Sequence, residues 1–153
     1  MKLAEIVPEQ AIILDLKPNN KVAVLRELVK ATKRVEKELD VDEVVRILIE
    51  RERLGSTGIG DGVAIPHVKV GGIKEVVAAF GRSKKGVDFD ALDGKRISLF
   101  IMLLAPLDSA NLHIEALARF SRMLKDQKLR GELLSATSKA MVFAVLNKAD
   151  EMG

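Results

Sequence analysis

The run Ile97 to Leu104, ISLFIMLL, constrains this chain more than any other stretch. It is short, almost wholly apolar and bounded by Asp93-Gly94 before and Pro106 after, which fits a buried strand. A strand that is apolar on both faces must be covered on both, so helices are expected above and below it. Even extended to Leu107, the run is interrupted by Ser98 and Pro106 and is too short to span a bilayer.

Other segments supply the rest of such a sheet. Val76 to Gly81 (VVAAFG) has the same character, and Ala11 to Leu14 is an Ile-rich run followed by the turn residues Pro18, Asn19 and Asn20. The stretch Gly86 to Gly94, GVDFDALDG, alternates Val87 and Phe89 with Asp88 and Asp90, and reads as a short strand or hairpin arm. Residues 3 to 7 form a short amphipathic turn before Pro8. Asn19 or Asn20 caps a helix from Lys21 to about Leu39, with Val22, Leu25, Val29 and Thr32 inward and Leu28 and Val35 beside them. Asp40 or Asp42 caps a second helix, about Val41 to Leu54, whose apolar stripe is Val41, Val44, Val45, Leu48 and Leu54. Asp108, Ser109 and Asn111 offer caps for a helix to about Lys125 with Ile114, Leu117, Phe120 and Leu124 inward; two more helices follow, near Leu129 to Ser135 and Lys139 to Asn147. No repeat or linker divides the chain, so residues 1–153 read as one α/β domain, a small mixed β-sheet flanked by helices.

Composition narrows the chemistry. The chain has no cysteine, which excludes disulfides, zinc-thiolate sites and cysteine nucleophiles. Its net charge is +3, but Lys and Arg are scattered and no Tyr or Trp is available to stack on bases, so nucleic acid is not the expected partner. The N-terminus MKLAEIVPEQ lacks the apolar run and small-residue cleavage site of a signal peptide, so a cytoplasmic protein without membrane insertion is expected.

The stretch Arg51 to Val70, RERLGSTGIGDGVAIPHVKV, carries the chemical signal. Its closely spaced glycines exclude ordinary helix and allow positive φ or close approach to a ligand, and the Ile65-Pro66 step imposes an extended backbone that presents His67 stiffly. Asp61-Gly62 stands where a Walker loop needs Lys and Ser/Thr, and Val63 stands where a dinucleotide fingerprint needs its last glycine. Ser56 lacks the flanking glycines of a hydrolase elbow. With two histidines in the chain, no metal-ligand set is identifiable, and neither metal nor organic cofactor is called for. Arg51 falls on or beside the apolar stripe of its helix, where an arginine either snorkels or holds an anion at the rim of the core. His113 lies in the first turn of its helix, as a partly buried core or capping residue or beside an anion bound at the helix terminus. An arginine, a histidine, hydroxyls and exposed amides together suit a phosphorylated imidazole: a neutral ring nitrogen attacks, while Arg51 and the Ser56 to Gly62 segment supply donors to the phosphoryl oxygens.

RERLGSTGIGDGVAIPH also resembles the active-site signature of the enzyme IIA domains of the bacterial phosphotransferase system, of the fructose, mannitol and nitrogen-regulatory type. The resemblance extends over nearly the whole chain, and it implies the mannitol/fructose-type IIA fold. It implies that His67 accepts phosphate, that Arg51 is the arginine opening the signature, and that His113, in NLHIEALA, is the family's second histidine. Ser56, Thr57 and Gly58 are expected to support the phosphate. The implied donor is a histidine phosphocarrier protein, and enzyme IIB or regulated target proteins are the implied onward partners. A chain that stops after one domain without a linker favours a stand-alone nitrogen-regulatory protein over a sugar-transport component. The reading from another class is a non-enzymatic module that binds an anion or a protein at the glycine-rich stretch.

Overall fold

The computed structural model describes residues 1–152, without the side chain of Leu112. In chain order the elements are α1 (Leu3–Ile6), a 3-10 turn (Glu9–Ala11), β1 (Ile12–Ile13), α2 (Lys21–Lys33), α3 (Val41–Arg53), β2 (Gly58–Gly60), β3 (Val63–Ala64), β4 (His67–Val70), β5 (Val77–Val87), β6 (Ile97–Pro106), α4 (Leu112–Lys125), α5 (Gln127–Ser135) and α6 (Lys139–Glu151).

The expected pair of apolar strands forms the centre. β5 and β6 run antiparallel, with Ala79 opposite Met102 and Phe80 opposite Ile101. The sheet is ordered β1-β5-β6-β3-β2, and β4 pairs with β6 beyond β3. β1 lies parallel to β5, and both β3 and β4 lie parallel to β6. Side chains alternate across a strand, so β6 builds two cores at once. Leu99, Ile101, Leu103 and Ala105 pack with α1, α4, α5 and α6, whereas Phe100, Met102 and Leu104 pack with α2 and α3. The result is the mixed α/β sandwich that two-sided apolar strands require, with one face covered by two helices and the other by four.

Local chemistry sets the helix ends. Asn20 accepts from Ala23 N at 2.9 Å and Asp40 from Glu43 N at 3.2 Å, each satisfying an amide that the first turn leaves open. α2 is shorter than its periodicity suggests. Arg34 and Val35 amides turn back to the carbonyls of Ala31 and Thr32, and Lys33 Nζ reaches Leu39 O at 2.6 Å, so the chain tightens and leaves the helix early. Three inward assignments are corrected. Val22 is 46% exposed while Val24 is buried, Leu54 is 85% exposed, and Ile114 faces outward while Ala116 and Met123 take the core. In α4 Asn111 holds the N-cap position without a side-chain bond, and Ser109 instead donates to Pro106 O.

The central sheet also fastens the C-terminal third. Arg82, on β5 and 6% exposed, donates through Nε to Leu14 O at 3.1 Å and through Nη1 to Leu133 O and Ala136 O at 3.0 and 2.6 Å. Its guanidinium caps the carbonyls at the end of α5, where a cation is electrostatically favoured. No helix is long and apolar enough to cross a membrane among the described residues.

Candidate functional site

The glycine-rich stretch folds as strands. Gly60 pairs with Val63 across Asp61-Gly62, whose φ values of 57° and 75° are both positive. That is the combination a two-residue type I′ hairpin needs, and Asp-Gly is among its favoured sequences. β3 then runs along β6, Ala64 opposite Phe100, and β4 resumes with His67 opposite Leu103. Ile65-Pro66 joins the two as one extended edge, with Pro66 O accepting Leu103 N at 2.8 Å.

Register places the side chains of β4. His67 and Lys69 alternate with Val68, which packs among the α2–α3 core. His67 shares the face of Leu103, the face on which α4 lies. His67, half-buried, accordingly lies beside His113, from the first turn of α4. The C-terminus of α3 reaches the same edge and brings Arg51. These residues line an open cavity of about 590 Å³ together with Ile47, Glu50, Leu54, Val68 and Lys69. Arg51, His67 and His113, far apart in sequence, are thus brought together by two helices flanking one edge strand.

The groups in this cavity are specifically held. His67 Nδ1 lies 2.7 Å from Ile65 O. A carbonyl accepts only, so the bond puts the ring proton on Nδ1 and leaves the lone pair on Nε2. Arg51 Nη1 donates to Gly55 O at 2.9 Å, in the turn that follows its own helix; no other side-chain hydrogen bond from Arg51 is present among the described residues. His113 Nδ1 is buried and has no hydrogen-bond partner among the described residues. Burial, followed by the charges of Lys69 and His67, lowers the His113 pKa from its ordinary value and so favours the neutral ring. With Arg51 and Lys69 set against Glu50 alone, the lining carries an excess of positive charge suited to an anion.

Ser56, Thr57 and Gly58 are placed differently from the expectation that they support phosphate. None lines the cavity. Ser56 Oγ donates to Phe89 O at 3.0 Å and accepts Gly58 N at 3.1 Å. Thr57, 5% exposed, donates Oγ1 to Glu52 Oε2 at 2.5 Å and its amide to Glu52 Oε1 at 3.2 Å. Their polar groups are spent on folding the segment. Sequence reasoning did not single out Lys69 or Glu50; for Lys69 the i, i+2 spacing from His67 on a strand was the available signal. Among the described residues, no group of three or more His, Cys, Asp and Glu side chains is placed to hold a metal ion.

This fold and this cavity define a class. Residues 5–149 match the family model described as the phosphoenolpyruvate-dependent sugar phosphotransferase system, EIIA 2, and the chain belongs to that family. It is 36% identical over 151 residues to the fructose-specific EIIABC component of Bacillus subtilis, covering 99% of this chain but 24% of that longer protein. It is 35% identical over 147 residues to a nitrogen regulatory protein of Bradyrhizobium diazoefficiens, covering 95% of each. Among solved structures, the nitrogen regulatory protein IIA-Ntr of Neisseria meningitidis superposes with a TM-score of 0.88 at 37% identity, over 94% of this chain and 98% of that one. The mannitol IIA of Escherichia coli shares the fold, with a TM-score of 0.75 at 23% identity over 91% and 97% of the two chains.

Proposed function

We propose that this protein accepts a phosphoryl group on Nε2 of His67 from a histidine phosphocarrier protein and serves as a phosphorylation-dependent regulator of the nitrogen-regulatory type in the cytoplasm. The observation that carries this reading is the His67 Nδ1 to Ile65 O bond, which leaves Nε2 as the nucleophile beside Arg51 and His113. The Nε2 lone pair attacks phosphorus as the donor's N–P bond breaks and its electron pair returns to the donor imidazole. Positive charge develops on the His67 ring as the new N–P bond forms, and Ile65 O, already holding the Nδ1 proton, stabilises it. Arg51 offers its remaining N–H groups to the phosphoryl oxygens, and His113 lies at the positive end of α4 to receive charge as the dianion arrives. Incubation with labelled phosphocarrier tests the reading: wild type takes up acid-labile phosphate, and labelling of His67→Ala to the wild-type level refutes it.

A second reading is a fructose-type IIA that hands phosphate to an enzyme IIB. The similar identities to the Bacillus fructose component and the Bradyrhizobium regulatory protein, 36% and 35%, favour neither role by distance. The likeness to the nitrogen regulatory protein IIA-Ntr of Neisseria meningitidis, 37% identical with a TM-score of 0.88, supports the first role. Rapid phosphate passage to a cognate IIB, with loss of growth on fructose or mannitol after deletion, decides for the second.

A further inference from the structure

The most buried charge near the cavity is one that the phosphoryl reading leaves unused. Glu52 follows Arg51 in the last turn of α3 and lies at the position four residues after Leu48, where the buried stripe calls for an apolar side chain. It is 7% exposed, and both of its oxygens are occupied. Oε1 accepts Thr57 N at 3.2 Å and lies 3.4 Å from Lys21 Nζ, and Oε2 accepts Thr57 Oγ1 at 2.5 Å. Lys21 in turn lies 4.7 Å over the Phe89 ring and 3.4 Å from Asp90, so the network draws together α2, α3 and the segment after β5. A buried carboxylate is costly unless so satisfied.

The network continues to the nucleophile. Thr57 O accepts Ile65 N at 3.1 Å, and Ile65 O accepts His67 Nδ1 at 2.7 Å. The successive bonds leave through different peptide groups, so what they transmit is position. Arg51 stands one residue before Glu52 and bonds Gly55 O, in the turn that Glu52 closes by holding Thr57.

We infer that Glu52 and Thr57 are positioning residues for phosphoryl transfer: through Ile65 they hold His67 in the Nδ1–H tautomer, and through the α3 terminus they hold Arg51 in register with it. This rests on the reading that His67 carries phosphate. A bond chain of this kind costs nothing at the moment of reaction, because the geometry is set by folding.

The test uses the intact chain and the variants Thr57→Val, Thr57→Ser and Glu52→Gln. Long-range ¹H–¹⁵N spectra of the imidazoles report the His67 tautomer without any phosphate. The expected result is a dominant Nδ1–H tautomer in wild type and Thr57→Ser, and a shift toward the mixture of tautomers in Thr57→Val and Glu52→Gln. Phosphate uptake from the phosphocarrier should fall about tenfold in the latter two, in the maximal rate and not in the donor concentration needed for half-saturation. A folded Thr57→Val protein with wild-type tautomer and wild-type uptake overturns the inference. Should that variant fail to fold, Glu52→Gln decides on the same two readouts. If wild type takes up no phosphate, the phosphoryl reading fails by itself and the tautomer comparison still judges the positioning.

Discussion

His67 and Ile65 are two residues apart on one extended segment, and the ring of the first bonds the carbonyl of the second at 2.7 Å. Such a contact needs a backbone that runs straight through the intervening residue, and Pro66 supplies it by fixing its own φ and keeping Ile65 extended. The phosphorylated protein is therefore expected to carry phosphorus on Nε2 alone. Phosphorus-coupled ¹⁵N spectra assign the nitrogen, and phosphorus on Nδ1 would show that the Ile65 bond opens before reaction.

Arg51 is held by its own helix end and directs its remaining donors to the cavity. Arg51→Ala should lower the rate of phosphate uptake roughly 10²-fold, the scale of losing one donor to transition-state charge, while costing about 1 kcal/mol of stability through the lost hydrogen bond to Gly55 O. Arg51→Lys keeps the charge but not the fork and should restore the rate only in part. Thermal melts beside single-turnover labelling separate the two effects; a rate loss matched by a collapse in stability would assign Arg51 to folding.

His113 couples the site to pH. Because burial lowers its pKa below the ordinary 6.5, the unfolded chain binds the proton first as pH falls. The stabilising effect of the neutral buried ring is complete above the unfolded-state value, declines below it and is lost as pH falls through the folded-state pKa. Urea unfolding at about pH 7.5 and about pH 5 should show a larger loss for wild type than for His113→Gln. Equal losses would remove His113 from the proton balance.

Gly58 is required by close packing. A Cβ built there lies 3.0 Å from Ala91 Cβ and 3.3 Å from Ser56 Oγ. Gly58→Ala should destabilise by about 1–3 kcal/mol through overpacking, and Ala91→Gly in the same chain should recover part of that loss. A double-mutant cycle on melting free energies measures the coupling, and additive losses would show that the two side chains do not compete for one space.

The layered architecture was readable because Val76 to Gly81 and Ile97 to Leu104 are apolar at successive positions and so on both faces. Helix starts were readable at Asn20 and Asp40, where a single cap side chain sits just ahead of the apolar period. The β2–β3 hairpin was missed although Asp61-Gly62 advertised it, since alternate glycines suggest an open loop before they suggest strands. The bonds of Ser56 and Thr57 were not legible for a related reason: hydroxyls among glycines suit an anion and suit self-closure equally, and nothing in the sequence names Phe89 and Glu52 as their partners. Glu52 itself sat at a core position in the period of α3, yet its charge argued for the surface until its partners were known. The meeting of Arg51, His67 and His113 depends on where α3 and α4 end relative to β4, which is a tertiary fact.

Among the described residues β4 pairs with β6 and no further strand covers its outer edge, so the histidine sits on an exposed strand border. Open borders invite pairing with other chains, and this one is guarded by the usual deterrents. It is four residues long, begins after a proline that has no amide hydrogen, carries Lys69, and ends at Gly71-Gly72 with Gly72 at φ 85°. The same brevity that leaves His67 open on this border thus denies another chain, or a second copy, a ladder long enough to aggregate on.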